Sequence, residues 1–459
     1  MTEFCPNAKA TILAIAGKID HLHIICTKQF FYKDTGAQSV LAVNVSSIRE
    51  KGTYDGTCVL RAGDHPFITH DSYIRYKDAV VMRVEKLISA VNSGEITVME
   101  NVSDEAMKDK LSVISSGGEM PDIYFTWTGE RTKRFARNDK ALDLTPYFEE
   151  DPEWKESFLP AFFNNATYEG KTYAVPFRTS IMYMIYNKQV FKEYDLEIPE
   201  TWDEFISICD KLNGTEVTPI AFGNSQAWYS SWWIGLLNTM MVSSEVINKD
   251  YTPETGEFTD KMYVEALQTF LDMNEKGYFG DHVNSKDYYQ VREQFCAGQA
   301  AMMLDATAQF TQFDDGMGAE NWGFFKIPTM EGAAGDPKTI GGGGEAWVVS
   351  KDTKHPEEAV KFLKFMTSLE QGQKQTKEAG LPNALVGGMT AENATEALAE
   401  AYKESEGYTN IADWLDCAVD ASIADQYMVS IQEGFDGKSA EDIMKDIQKV
   451  AADVKTNAK

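Results

Sequence analysis

Nine tryptophans punctuate this chain, and several stand where a side chain can meet a ligand. Trp127 closes the apolar run Ile123–Trp127. Trp228, Tyr229, Trp232 and Trp233 crowd into one polar stretch, Asn224-Ser-Gln-Ala-Trp-Tyr-Ser-Ser-Trp-Trp. Trp347 follows four glycines, Gly341–Gly344, and Glu345. Sugar rings lay their C–H faces on aromatic rings, while their hydroxyls need Asn, Gln, Asp, Glu or Arg partners. Aromatics interleaved with such groups fit that chemistry. The alternative for each tryptophan is an ordinary place in a core. Trp202 belongs with that alternative, because it lies inside a helix-capping sequence.

Other chemistries have little material. Cys5, Cys26, Cys58, Cys209, Cys296 and Cys417 form no C-x-x-C pair, so neither a thiolate metal site nor a redox dithiol is expected. His21, His23, His65 and His70 fall near the start, leaving only His282 and His355 for the main body. A histidine metal site or a Ser/His triad therefore has almost nothing to build on. With 71 carboxylates, two acids lying close together carry no inference of glycosidase-type catalysis. Gly341–Gly344 is not followed by Lys-Ser/Thr and opens no G-x-G-x-x-G helix, so it is a poor phosphate cradle. Four glycines before a strand would instead serve a flexible crossing or a close backbone approach to a ligand. Neither a cofactor nor a metal is expected.

The elements that must carry these residues alternate between helix and strand from about residue 77. Val80, Val81, Val84, Leu87, Ile88 and Val91 form one helix face, Glu95–Met99 reads as a strand and Ser103–Ser115 as a helix. Further strands are expected at Ile123–Trp127, Val175–Phe177, Met182–Tyr186, Ile220–Phe222, Ala301–Leu304, Trp322–Ile327 and Ala346–Ser350. Thr201-Trp-Asp-Glu204 is a capping box, Pro356 opens a helix over Glu357–Met366, and Ser439 caps a last helix carrying Ile443, Ile447, Val450 and Val454. The alternation argues for α/β layers with mainly parallel sheets.

At 459 residues the chain has room for two or three domains or one bilobal unit. A net charge of −28 repels phosphate backbones and anionic lipid, so nucleic-acid and membrane-surface binding are excluded, and no run is apolar enough to span a bilayer. Residues 1–76 differ, with eight basic and seven acidic side chains, against 35 and 64 in the remainder. Their apolar run Ala10–Gly17 is short and follows Glu3 and a single Lys9. Cys26 follows Leu22-His-Ile-Ile, with bulky residues where a lipoprotein signal wants small ones, so no export signal is read here.

Together the residues of about 77–459 resemble family 1 of the extracellular solute-binding proteins of carbohydrate ABC transporters, the class that includes maltose-binding protein. The landmarks are Met120-Pro-Asp-Ile-Tyr-Phe-Thr-Trp127, Tyr173-Ala-Val-Pro-Phe177, Met182-Tyr-Met-Ile-Tyr-Asn-Lys188 and Pro199-Glu-Thr-Trp-Asp-Glu-Phe205. Ala221-Phe-Gly-Asn224, Gly298-Gln-Ala-Ala-Met-Met303, Gly341–Ser350 and His355-Pro-Glu-Glu-Ala-Val-Lys-Phe-Leu follow in the family's order and spacing.

The resemblance implies an α/β, two-lobe periplasmic-binding-protein-like fold of type II, with parallel-rich sheets and a ligand cleft. Lobe I would hold 77–178 and 345–405, and lobe II 179–344 and 406–459. It implies a monomeric, non-enzymatic receptor, extracytoplasmic and either periplasmic or held at the cell surface as a lipoprotein. Hinge closure on a mono- or oligosaccharide would deliver the ligand to ABC permease subunits. Cleft positions would be Trp127, Glu130, Arg131, Arg178, Asn224, Trp228, Trp232, Trp233, Asp305, Glu345 and Trp347, with Trp228 and Tyr229 competing for one role. The front departs from the family pattern: residues 1–50 are expected to be dispensable and 57–73 to be partly ordered against lobe I, with His65–Tyr73 a candidate for a substitute strand. Two alternatives stay open, a binder of a non-sugar solute on the same fold and a secreted carbohydrate-active enzyme.

Overall fold

The computed structural model describes residues 30–34, 37–41, 111, 120–405, 407–408 and 410–458. The helix face at Val80–Val91, the strand Glu95–Met99, most of the helix Ser103–Ser115 and the strand His65–Tyr73 lie outside them. In the first segment a two-stranded antiparallel ladder joins β1 (Phe30–Asp34) to β2 (Ala37–Leu41).

The chain falls into two compact units. The first includes the described residues up to Phe125, with Asp139–Leu142 and Val348–Ser368. Within it the Leu142 N–H donates to Val349 O at 2.8 Å and the Ser350 N–H to Asp122 O at 2.9 Å. The helix Pro356–Met366 buries Ala359, Val360 and Leu363, and proline stands in its first turn, where the missing N–H has no helical partner to lose.

The second unit comprises Thr126–Asn138, Asp143–Trp347 and Leu369–Lys459. Its frame is two long strands, β6 (Val175–Asn187) and β10 (Thr339–Val349), which pair antiparallel between Val175–Ile181 and Gly342–Trp347. Beyond that ladder β6 continues and pairs antiparallel with both β8 (Ala300–Ala306) and β9 (Trp322–Phe325). Parallel pairing occurs at the ends of the order, where β7 (Thr218–Ile220) meets β8 and β11 (Asn410–Asp413) meets β10. The sheet is therefore mixed, and one continuous β6 joins the two short runs read separately from sequence. After β3 (Ile123–Trp127), a short hairpin, β4 (Thr167–Tyr168) and β5 (Lys171–Thr172), leads into it.

The four glycines lie inside β10, not before a strand, and packing requires them. A Cβ on Gly343 would stand 2.9 Å from the Trp414 ring, and one on Gly344 would stand 2.9 Å from Thr128 Cγ2. Contacts under 3 Å are not tolerated, so these positions let the protein's own segments approach the strand.

The largest change from the sequence reading is at 228–241. The aromatic end of the polar stretch opens a helix, Trp228–Met241, buried nearly all round. Its i,i+4 spacing sorts the aromatics: Trp228 and Trp232 share one face, Tyr229 and Trp233 the next. Trp233 is fully buried and stacks on Phe270 at 5.9 Å, in a core with Phe222, Phe279 and Phe435. The capping box is present as expected: Thr201 Oγ1 accepts from the Glu204 N–H at 3.2 Å, Glu204 Oε2 accepts from the Thr201 N–H at 3.1 Å, and Trp202 packs on Phe205.

Candidate ligand-binding site

Three segments of the second unit build the candidate site. The helix Trp228–Met241 presents Trp228 and Trp232, whose rings lie 5.4 Å apart. The turn after β11 brings Trp414 flat onto Trp232, with centroids 5.5 Å apart and planes 13° apart. The helix Tyr288–Cys296 sets its first residue 5.0 Å from Trp228 and 6.2 Å from Trp232. Offset and edge contacts at these distances are favourable for ring quadrupoles, so the four rings stiffen one another. Trp228 is the partly exposed member.

A charged strut ties the turn down. Asp416 accepts from Ser231 Oγ at 3.0 Å and pairs with Arg131 Nη2 at 3.4 Å. Arg131 also lies over the Trp127 ring at 5.4 Å. Nearby, Asp413 accepts from Thr128 Oγ1 at 3.2 Å and from Asn165 Nδ2 at 2.9 Å. Burial pushes the Asp413 carboxyl up to about 6, against the pull of Lys133 and those two donors.

Buried polar atoms with no protein hydrogen-bond partner include Arg131 Nε and Trp414 Nε1 in these segments, and Asn224 Oδ1 and Gln226 Oε1 in the stretch that leads into the helix Trp228–Met241. Two donate and two accept, which is what a polyhydroxylated ring asks of its surroundings. Asn224 is otherwise anchored, donating to Asn284 Oδ1 at 3.1 Å and accepting at its carbonyl from Gln432 Nε2 at 2.7 Å.

The other positions singled out from the sequence are placed as follows. Tyr229 is fully buried with its hydroxyl donated to Leu304 O at 2.7 Å, and Trp233 belongs to the core. Glu130 is occupied by Arg137, whose Nη1 donates to it at 3.0 Å; burial raises the Glu130 carboxyl and Arg137 opposes the rise. Arg178 and Glu345 stand opposite each other on β6 and β10 and form a buried ion pair. Trp347 and Phe177 stack at 4.9 Å near that pair. Asp305 is fully buried and accepts from the Tyr288 hydroxyl at 2.8 and 3.0 Å; burial pushes its carboxyl up to about 6 against the pull of Arg292. A separate cavity of about 250 Å³ lies beside Thr218, Phe222, Lys286 and Gln294 and touches none of the twelve positions.

Sequence reasoning missed Trp414, Asp416, Tyr288 and Gln226. The signal for Trp414 was Asp413-Trp-Leu-Asp416, a tryptophan between acids where the chain turns, and the one for Tyr288 was Asp287-Tyr-Tyr289 at a helix start. Among the described residues no group of three His, Cys, Asp or Glu side chains is arranged to hold a metal ion, and no helix is long and apolar enough to cross a membrane.

Residues 95–373 match the model of the bacterial extracellular solute-binding proteins. The chain belongs to that family. It is 27% identical over 331 residues to the multiple sugar-binding protein of Streptococcus mutans, spanning 68% of this chain and 73% of that one. It is 25% identical over 355 residues to the diacetylchitobiose-binding protein of Streptomyces coelicolor, spanning 74% and 79%. A solved chitin oligosaccharide binding protein matches with a TM-score of 0.73 at 24% identity, over 86% of this chain and 99% of that one. The α/β, two-lobe binding-protein fold read from the sequence is the fold these proteins share, and the family is one of solute-binding receptors.

Proposed function

We propose that this protein is an extracytoplasmic carbohydrate receptor that delivers a sugar or oligosaccharide to the permease of an ABC importer, acting as a monomer and without chemical turnover. The observation that carries the reading is the ring cluster Trp228–Trp232–Trp414, together with the unpartnered polar atoms of Asn224, Gln226 and Arg131 in the adjoining segments. Rings supply the stacking surface and the open groups supply hydrogen bonds to hydroxyls. Relatives named for sugars and chitin oligosaccharides support the same class of ligand. In this reading, residues 77–178 with 345–405 form one lobe and 179–344 with 406–459 the other, and closure about the β6 and β10 crossings traps the sugar.

Twelve positions reduce to a shorter list of contacts. Trp127, Arg131, Asn224, Trp228 and Trp232 stay in the site, with Trp347 as a second stacking surface beside Phe177. Glu130, Arg178 and Glu345 serve by charge pairing, and Tyr229, Trp233 and Asp305 from behind. A thermal-shift screen over chito-, arabino- and malto-oligosaccharides tests the proposal, because ligand at 100 times its Kd adds about 2.7 kcal/mol to stability. The stabilising saccharide should be recovered intact after prolonged incubation. No stabilisation by any saccharide removes the carbohydrate reading, and release of shorter products replaces it with an enzymatic one.

A further inference from the structure

Behind the ring cluster stands a carboxylate that touches no solvent. Asp305 lies on β8, fully buried, and both of its oxygens accept from the Tyr288 hydroxyl; Oδ1 also accepts from the Ala306 N–H at 2.7 Å. The Tyr288 ring is the one that meets Trp228 at 5.0 Å, Tyr229 at 5.1 Å and Trp232 at 6.2 Å. Its edge is thus held by an anion and its body by three aromatics. We infer that Asp305 is a positioning residue: its ionised carboxylate clamps the Tyr288 hydroxyl, and the clamped Tyr288 ring sets the spacing and tilt of Trp228 and Trp232. The consequence for sugar affinity rests on the carbohydrate reading; the positioning does not.

Charge is what makes the clamp strong, since a hydrogen bond to an ionised acceptor is about twice as strong as a neutral one. The groups around Asp305 leave that charge without a direct counter-ion. From the helix Tyr288–Cys296 come Tyr288, Arg292 and Cys296. Arg292 attracts the carboxylate, but its Nη1 donates to Gln309 Oε1 at 3.2 Å and to the Tyr288 hydroxyl at 3.4 Å, and among the described residues no cation forms an ion pair with Asp305. From the helix Trp228–Met241 comes Tyr229, whose hydroxyl is spent on Leu304 O. Across β6 the register partner is Tyr183, whose hydroxyl donates to Ala401 O at 3.0 Å. Burial therefore dominates, and the carboxyl takes up a proton near pH 6. Protonation turns a charged clamp into a neutral one, so the ring cluster should be fixed above that pH and looser below it.

Ligand-free full-length protein tests this by near-UV circular dichroism and acrylamide quenching of tryptophan, followed from about pH 7.5 to 5. The wild type should show one transition near pH 6, with loss of near-UV amplitude and increased quenching on the acid side. Asp305→Asn should abolish the transition and resemble the acid form throughout. Tyr288→Phe, which keeps the ring and removes the clamped hydroxyl, should also abolish it. Asp413, in the turn that carries Trp414, is raised into the same range, so both substitutions are also made in an Asp413→Asn background, whose parent should keep the transition. A transition that persists in Asp305→Asn or Tyr288→Phe in that background, or that is absent from its Asp413→Asn parent, overturns the inference. No saccharide is present, so failure to bind sugars counts against the carbohydrate reading alone.

Discussion

Two buried carboxylates, Glu345 and Asp305, show how differently one fold treats the same functional group. Glu345 sits on β10 directly opposite Arg178 on β6 and is neutralised by that guanidinium. Asp305 sits on β8 and meets a tyrosine hydroxyl instead. A full opposite charge at contact favours the charged form of a carboxylate; a hydroxyl does not offset the loss of water, so burial pushes the Asp305 carboxyl up to about 6. The first arrangement ties the two paired strands together through a buried ion pair. The second leaves the aromatic face with a support whose strength depends on pH.

The sharpest way to break this contrast is to remove one partner of the locked pair. Arg178→Met leaves Glu345 buried beside an apolar side chain and should cost roughly 3–5 kcal/mol. Arg178→Met with Glu345→Leu should regain most of that loss, since neither charge then remains. Urea unfolding of the three proteins measures it, and a single variant within 1 kcal/mol of wild type would show that the β6–β10 pairing does not depend on the ion pair.

The helix Trp228–Met241 offers the next largest contrast. Trp233→Ala empties a site in the Phe222–Phe270–Phe279 core and should lower stability by about 3–5 kcal/mol. Trp228→Ala should leave stability nearly unchanged and weaken saccharide binding by about 1–3 kcal/mol. Calorimetric titration alongside thermal unfolding separates the two effects. Equal losses of stability would mean that Trp228 is a core residue.

A smaller effect sharpens the electrostatic side. Asp305 and Asp413 both have folded values raised from 3.8 to about 6. A raised carboxyl contributes stability that is fully present below the unfolded value and is lost as pH rises through the folded one. Between pH 5 and 7.5 each should therefore destabilise the fold by roughly 1 kcal/mol as it ionises. Asp413→Asn should flatten that part of the stability profile; an unchanged slope between wild type and variant would remove Asp413 from the account. The smallest effect is at the cap: Thr201→Ala should cost about 1 kcal/mol, read as a shift in the urea midpoint without any change in ligand affinity.

Local physics made much of the fold legible. The strand Ile123–Trp127 was read to the residue, because a short apolar run after Met120-Pro-Asp can hardly be anything else. The helices Pro356–Met366 and Ala440–Asn457 announced themselves by proline at the first turn and a serine cap. The length of β6 was not legible: Arg178, Thr179 and Ser180 interrupt its apolar pattern, and only pairing on β10 and burial of the Arg178 charge against Glu345 carry the strand through them.

For the candidate site, the sequence by itself determined the materials: tryptophans at 228, 232 and 414, amides at 224 and 226, and acids in plenty. The tertiary structure decided which of them belong together. Helical spacing turned Trp228 and Trp232 one way and Tyr229 and Trp233 another. Trp414, more than 180 residues downstream of Trp232, reached its stacking partner through the turn that Asp413 and Asp416 hold down. Asp305 could be listed as a candidate from its place after a strand, but whether it meets ligand or holds Tyr288 depends on which helix packs over β8. Composition and periodicity are properties of neighbours along the chain, and they specify the faces that must be buried. Which buried face meets which is settled by packing between segments far apart in sequence, and the site lies at those meetings.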